Sequence, residues 1–134
     1  MNLERPLLPT SRLGGHFVQG HADGVGTVER IQKEGGFAVY RFSLPAPIQP
    51  YLAEKGSVAV DGISLTVSAI GPGYFEVALI PHTLENTNLG RRRIGDLVNL
   101  ECDVLAKYVE SLLKSREDHR KTPLTAEYLK EQGY

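Results

Sequence analysis

The dipeptide Asp61-Gly62, set between two runs of alternating residues, is the feature that most constrains how this chain of 134 residues can fold. A two-residue Asp-Gly connection predicts a type I′ β-hairpin, because that turn needs positive φ at both central positions. Successive residues of the outgoing strand then point to opposite faces of a sheet. One face carries Ile63, Leu65 and Val67, and the other carries Ser64, Thr66 and Ser68. The hydroxyl face is either a half-exposed surface or the lining of a pocket for a hydrogen-bonding ligand.

Six short segments of the chain have the composition and alternation of β-strands. They are the two strands of the hairpin and residues 25–31, 37–44, 74–80 and 97–102. Prolines at 45, 47 and 50 end the second segment, because proline cannot donate to a ladder. Short helical turns are predicted over 51–55 and 82–88. Short strands separated by turns favour a small antiparallel barrel or a closed sandwich, since closure removes exposed edges.

The hydrophobic period changes to that of a helix after Asp103. Apolar side chains recur at 105, 108, 109, 112 and 113, which is the spacing of an amphipathic helix, and Asp103 is a suitable N-cap. This helix, predicted over 103–116, would either cover one mouth of the barrel or pack against copies of itself in an oligomer. Residues 117–134 are predicted to form a charged linker and a second short helix over 124–130.

Composition disfavours several classes of function. The net charge is −1 and the strands lack aromatic stacking platforms, which disfavours a nucleic-acid surface. No apolar run approaches the length of a membrane span, and the start has no signal-peptide pattern. The single cysteine, Cys102, cannot form an intramolecular disulfide and fits a reducing compartment. The chain is therefore predicted to be cytoplasmic, with neither nucleic acid nor membrane as a partner.

The glycine-rich segment 14–26 contains two histidines but predicts no metal site. An i, i+5 spacing on an extended chain points His16 and His21 to opposite faces, and no cysteine or acidic cluster completes a ligand set. Gly15 and Gly20 have the spacing of a phosphate loop, but neither the Lys-Ser/Thr pair nor a helix follows.

Three motifs occur along the chain in a fixed order. They are Gly-Gly-His-Phe-Val-Gln-Gly-His-Ala-Asp-Gly at 14–24, Lys-Gly-Ser-Val-Ala-Val-Asp-Gly-Ile-Ser-Leu-Thr-Val at 55–67, and Leu-Ile-Pro-His-Thr-Leu-Glu-Asn-Thr-Asn-Leu-Gly at 79–90. With residues 98–108, these motifs closely resemble the C-terminal half of the riboflavin synthase family. The resemblance covers residues 1 to about 116. It implies an all-β fold: a six-stranded antiparallel Greek-key barrel over 16–102, followed by C-terminal helices of which the first forms trimers in that family.

Chains of that family contain two similar barrels, and the resemblance implies that this chain holds the second. Residues 1–15 would then be the last strand of a preceding barrel and a linker. The tripeptide Asn-Leu-Glu at 2–4 and again at 99–101 fits such a repeat. Met1 is interpreted as an internal start or as the boundary of a truncated chain.

The resemblance also implies an activity. Members of the family convert two molecules of 6,7-dimethyl-8-ribityllumazine into riboflavin and 5-amino-6-ribitylamino-pyrimidinedione, and one lumazine donates a four-carbon unit to the other. No cofactor is needed, because the acidic 7-methyl group of the substrate supplies the reactivity. The active site forms between the first barrel of one subunit and the second barrel of a neighbour, so this chain alone is expected to bind ligand with weak or no turnover. The alternative is a non-catalytic module that binds lumazine or riboflavin.

Carried over position by position, the resemblance implies a substrate pocket built from four segments. Hydroxyl groups would bind the ribityl chain, and Leu65 and Ile80 would form apolar walls. His21 is the candidate for proton transfer, because histidine exchanges protons near neutral pH; the alternative is a structural hydrogen bond to the ring. Lys55 would contact the ribityl end or lie on the surface as an ordinary lysine. The implied pocket residues are Gly20, His21, Ala22, Lys55, Ser64, Leu65, Thr66, Ala78, Leu79, Ile80, Pro81, His82 and Thr83.

Overall fold

A computed structural model describes residues 1–121 and Lys130 of the chain, with side chains through Arg116 and at Lys130. The contacts divide the chain into two units, one from Met1 to Val104 and one from Leu105 onward. The strands of the first unit are β1 (Gly24–Glu34), β2 (Phe37–Ser43), β3 (Ser57–Val60), β4 (Ile63–Gly71), β5 (Tyr74–Leu79) and β6 (Leu97–Cys102).

The six strands close into an antiparallel barrel in the order β1-β2-β5-β4-β3-β6. Strands β3, β4 and β5 are consecutive neighbours, and β6 returns to lie beside β3, which is the Greek-key arrangement. The predicted six-stranded antiparallel Greek-key barrel is therefore confirmed.

The hairpin that joins β3 to β4 forms as its turn residues predict. Asp61 and Gly62 have φ values of +50° and +80°, the sign that a type I′ turn requires at both positions. Val60 pairs with Ile63 and Val58 pairs with Leu65. The side chains of these four apolar residues point to the core, so the hydroxyl-bearing residues of β4 point outward.

Alternating residues of the strands fill the barrel. On β2 the buried positions are Ala38, Tyr40 and Phe42. The Phe42 ring stacks on Phe75 of β5 with 5.4 Å between centroids and on Tyr40 with 6.1 Å. Burying aromatic and branched side chains on one face of every strand is what stabilises a closed sheet of this size.

The predicted helical turn over 51–55 is wrong in position. A 3-10 turn forms at Gln49–Tyr51 instead, with Pro50 supplying the φ of its first turn. Lys55 has a left-handed φ of +65°, and its N–H donates to the Val67 carbonyl at 2.8 Å. After β5, the helix α1 (Pro81–Asn86) and a 3-10 turn at Asn88–Arg91 form where a short helix was predicted.

The second helix, α2 (Val104–Lys121), begins where the change of period predicts and runs further. The linker predicted from residue 117 is wrong as far as Lys121, because no glycine or proline interrupts this stretch before Pro123. The short helix predicted over 124–130 lies outside the described residues apart from Lys130. Within the described chain, neither helix combines the length and apolar character needed to cross a bilayer.

The Asp61 carboxylate connects the hairpin turn to two other parts of the barrel unit. One oxygen accepts the Asn99 N–H at 2.9 Å, and the other accepts the Asn88 amide at 2.8 Å and the Arg92 guanidinium. The side-chain amide of Asn2 donates to the Asp61 carbonyl at 2.9 Å. These contacts hold the N-terminal residues and the 88–91 turn against the hairpin.

Residues 1–15 contain no strand. Near Met1, Asn2 and Asn88 exchange hydrogen bonds of 2.7 and 2.9 Å. The interpretation of these residues as the end of a preceding barrel stays a prediction.

Tyr40 should make the barrel less stable at alkaline pH. Burial raises the pKa of its phenol above the ordinary 10.0, so the unfolded chain releases this proton at a lower pH than the folded chain. The Tyr40 contribution to the free energy of unfolding should be constant below about pH 10 and fall above it, by at most about 1.4 kcal/mol per pH unit, until the folded pKa is reached. Urea unfolding should show this decline for the unmodified protein relative to Tyr40→Phe. A Tyr108→Phe variant controls for removal of an exposed phenol, and an identical pH dependence of all three proteins would contradict the expectation.

Candidate functional site

Three residues on adjacent strands form one row across the outer face of the barrel. Glu101 of β6 pairs with Ala59 of β3, and Ala59 pairs with Ser64 of β4. Because Val58 and Val60 point into the core on either side of Ala59, the row faces outward. We call Glu101, Ala59 and Ser64 the outer row.

The segment Gly15–Gly20 is bonded to both ends of the outer row. At the β6 end, the Gln19 and Gly20 N–H groups donate to the two oxygens of Glu101, at 2.6 and 2.9 Å. Glu101 is only 6% exposed, which makes it the buried charged side chain among the described residues. A carboxylate removed from water needs such donors, since an unpaired buried charge is costly.

At the β4 end, His16 lies against Ser64. The ring Nδ1 of His16 is 2.7 Å from Ser64 Oγ, and the His16 N–H donates to the same oxygen at 3.3 Å. A Cβ on Gly15 would overlap the Ser64 hydroxyl, so this close approach requires glycine. Ala59, between the two ends, is fully buried although it faces outward. The segment therefore crosses the outer face of the barrel over the small side chain of Ala59. We call Gly15–Gly20 the crossing segment.

His21 and Ala22 lie in a short exposed loop between two anchored residues. On one side is Gly20, bonded to Glu101 and held at a positive φ of +79°. On the other side is Asp23, whose N–H donates to the carbonyl of Leu100 at 2.8 Å and whose carboxylate accepts the N–H of Cys102 at 2.8 Å. The loop is thus fixed at both ends against β6.

Strands β4 and β5 separate beside the outer row. Their pairing runs from Gly71 and Tyr74 to Val67 and Val77, with a bulge at Ser68. Beyond it, residues 63–66 pair with β3, while Ala78 and Leu79 pair with β2. A bulge bends and twists its strand, and here the two strand edges diverge next to Ser64 and Thr66.

The predicted pocket residues of β4 and β5 fall into two sets. Ser64 and Thr66 face outward, and the Ile80 side chain is 58% exposed at the end of β5. Leu65 and Leu79 point into the core. The alternation of β4 turns the Leu65 side chain toward the core, where it is half-buried, and its role as an apolar wall of the pocket stays a prediction.

Three of the remaining predicted residues, Pro81, His82 and Thr83, lie in α1, and Lys55 lies on the turn before β3. Pro81 is the first residue of α1, and the exposed His82 ring is 3.3 Å from the Asn86 amide. The Thr83 N–H donates to the Ile80 carbonyl at 3.0 Å, which ties the helix start to the end of β5. Lys55 is exposed on the turn before β3.

Three cavities lie near the hairpin turn and the segment Gly15–Gly20, and Gly62 lines all three. Ser64 lines two of them, of about 430 and 520 Å³, with Gly62 and Gly14. Gly20 and Ala22 line a third of about 350 Å³, together with Glu101. Sequence reasoning missed two participants, His16 as a partner of Ser64 and Glu101 as the anchor of the loop. A charged residue at an outward position of β6 was the available signal for Glu101, but nothing in the sequence indicated its partners.

The barrel matches the family model described as "Lumazine binding domain" over residues 19–103, and the chain belongs to that family. Among curated proteins, riboflavin synthase of Actinobacillus pleuropneumoniae is 43% identical over 100% of this chain and 63% of its own length. Riboflavin synthase of Mycobacterium tuberculosis (strain ATCC 25618 / H37Rv) is 51% identical over 86% of this chain and 59% of its own length. The chain thus spans about six tenths of the length of these relatives, and the resemblance stated from the motifs is confirmed.

Solved structures support the same fold. LumP complexed with flavin mononucleotide matches with a TM-score of 0.60 at 23% identity, over 63% of this chain and 48% of that chain. LumP complexed with 6,7-dimethyl-8-(1'-D-ribityl) lumazine matches with a TM-score of 0.60 at 24% identity, over 64% and 48%.

Proposed function

We propose that this barrel binds 6,7-dimethyl-8-ribityllumazine as the C-terminal half of a riboflavin synthase. The complete enzyme would dismutate two lumazines to riboflavin and 5-amino-6-ribitylamino-pyrimidinedione. The observation that carries the proposal is the outward pair of hydroxyls, Ser64 and Thr66, beside the diverging edges of β4 and β5. Membership of the lumazine binding domain family and 35–51% identity to riboflavin synthases support this choice of ligand.

The chemistry of the surface suits a ligand with a polyol chain and a flat polar ring. Two hydroxyls at i and i+2 on a strand are about 7 Å apart, which is the scale of a ribityl chain. Backbone N–H and C=O groups at the diverging edges could bond the ring carbonyls and nitrogens. The exposed side chain of Ile80 offers an apolar contact for one face of the ring.

His21 is proposed to take part in proton transfer. It lies in the exposed loop anchored by Gly20 and Asp23, so its position is fixed while its ring stays accessible. The other role open to it is a structural hydrogen bond to the ring. Replacing His21 by Gln separates the two roles, because glutamine keeps a hydrogen-bonding amide but cannot relay a proton.

Turnover requires two bound lumazines that face each other, since one donates carbon to the other. We propose that the catalytic assembly is a homo-oligomer in the cytoplasm, a trimer as in the full-length family, built through α2. Leu105, Val109 and Leu112 of that helix are 57, 56 and 66% exposed, and the stripe they form could pack against other copies. Sedimentation equilibrium at several concentrations tests this assembly, and a strictly monomeric protein would exclude it.

Fluorescence titration with 6,7-dimethyl-8-ribityllumazine tests the proposed function. We expect binding by the unmodified chain, and a roughly ten-fold weaker affinity for Thr66→Val, because one hydrogen bond to the ligand is lost. Ser68→Ala is the matched control, since it removes a hydroxyl from the bulge of the same strand. Absence of binding by the unmodified chain, or equal weakening by both variants, would exclude the assigned surface.

The same samples decide between an enzyme half and a binding module. Riboflavin formation is expected to be weak or absent for this chain alone and to appear when a complementary first barrel is added. Unchanged binding with no turnover in either mixture would favour the alternative, a non-catalytic module that binds lumazine or riboflavin.

A further inference from the structure

Glu101 is a buried carboxylate for which the proposed chemistry has no direct role. It is 6% exposed, on the outer face of β6, and both of its oxygens accept backbone N–H groups of the crossing segment. These donors belong to the successive residues Gln19 and Gly20, immediately before His21. Two consecutive N–H groups that converge on one anion resemble the backbone nests that bind anions in other proteins.

We propose that Glu101 is a positioning residue for the ligand-binding loop, acting through the Gln19–Gly20 backbone. The residues it holds include Gly20 and precede His21 and Ala22, which the proposed function places at the lumazine. The choice of ligand therefore rests on that proposed function, whereas the positioning itself rests on the geometry of the carboxylate.

A carboxylate is suited to this position for reasons of geometry and hydrogen-bond chemistry. It is an acceptor at both oxygens, whereas glutamine would present an NH₂ donor to one of the two N–H groups. Aspartate is one methylene shorter and would withdraw both oxygens from their donors, at present 2.6 and 2.9 Å away. Gly20 has a φ of +79°, which glycine adopts without strain, so the backbone can turn toward His21 while the Gly20 N–H stays bonded to the carboxylate.

The location of Glu101 links the loop to the rest of the surface. Its backbone pairs with Ala59, which pairs with Ser64, the hydroxyl proposed to bind ribityl. The carboxylate therefore sets the distance between the loop and the hydroxyl pair across two strand spacings, about 10 Å. A ligand that touches both must match that distance, and releasing the carboxylate would weaken binding without removing any group that contacts the ligand.

The test compares Glu101→Gln with Glu76→Gln. Glu76 is a carboxylate on β5 that pairs with Arg30 and Arg41, so its replacement makes the same chemical change away from the crossing segment. We expect Glu101→Gln to bind riboflavin and 6,7-dimethyl-8-ribityllumazine about ten-fold more weakly in fluorescence titrations, as for one lost charge-assisted hydrogen bond. Glu76→Gln should bind as the unmodified protein does. Glu101→Asp should fail to restore affinity.

A second measurement separates positioning from general destabilisation. In ¹H–¹⁵N spectra of the ligand-free protein, the amide signals of Gln19 and Gly20 should shift in Glu101→Gln, and those of Arg30 and Arg41 should not. Should Glu101→Gln fail to fold, Glu101→Met provides the same comparison without an unpaired buried amide.

The outcomes separate the two proposals. Unchanged amide signals in the folded variant, or unchanged affinity beside a binding unmodified protein, would overturn the positioning role. If the unmodified protein binds neither ligand, the proposed function fails. In that case the amide signals of Gln19 and Gly20 alone test whether Glu101 positions the loop, since they are recorded without any ligand.

Discussion

Replacing Phe75 with alanine is expected to lower the free energy of unfolding by about 3–5 kcal/mol, because the deletion leaves a cavity in a filled barrel. Phe75 is 0% exposed, and its ring stacks on Phe42 of the neighbouring strand with 5.4 Å between centroids. Few side chains can move in to fill the space, since the closed sheet fixes the backbone all around it. Urea unfolding followed by far-ultraviolet circular dichroism measures the loss.

Phe37→Ala is the matched control for this experiment. Phe37 stands at the start of β2 and is 40% exposed, so its removal leaves no enclosed cavity. Phe37→Ala should lower the free energy of unfolding by less than about 1 kcal/mol. Equal losses for the two variants would mean that Phe75 does not occupy the centre of the core.

Replacing Gly90 with alanine is expected to lower the free energy of unfolding by about 1–3 kcal/mol or more. We also expect it to weaken lumazine binding strongly. A Cβ at this position would overlap the carbonyl oxygen of Leu84, a backbone atom that cannot turn away as a side chain can. The 3-10 turn and α1 would have to separate. Because α1 begins with the proposed site residues Pro81, His82 and Thr83, the change should reach the ligand.

Thermal unfolding and fluorescence titration of the same variant test this expectation. Gly24→Ala is the control, because its added Cβ would meet only ordinary contacts at 3.9 Å from Ile48 and Pro45. A Gly90→Ala protein with unchanged stability would show that α1 and the turn do not approach as closely as described. Unchanged stability with lost binding would instead place Gly90 itself at the ligand.

The strands could be predicted from the sequence because their determinants are local, whereas the choice of a Greek-key barrel over a closed sandwich came from the resemblance to the riboflavin synthase family. The hairpin follows from the φ preferences of Asp61 and Gly62, and the faces of β4 follow from a period of two. The 3-10 turn starts before the predicted 51–55, at Gln49, because Pro50 favours the first turn of a helix. Helix α2 extends past its predicted end at residue 116, because Glu, Lys and Arg in a charged stretch are good helix formers.

The candidate site could be predicted only in part, because its determinants are long-range. That Ser64 and Thr66 face outward follows from alternation within one strand. That His16 contacts Ser64, 48 positions away, and that Gln19 contacts Glu101, 82 positions away, follows from closure of the barrel. The bulge at Ser68 likewise depends on the partner strand, since it exists only relative to β5.

The crossing segment also has a consequence for the order of events during synthesis. Gln19 is synthesised early, but its hydrogen-bond partner Glu101 lies on the last strand of the barrel. Contacts between residues so distant in sequence form late, because a long loop must close first. The loop that carries His21 can therefore take its place only after residue 102 has left the ribosome. A chain arrested before that point could still form the contact between His16 and Ser64, but it would lack the Glu101 anchor of the segment.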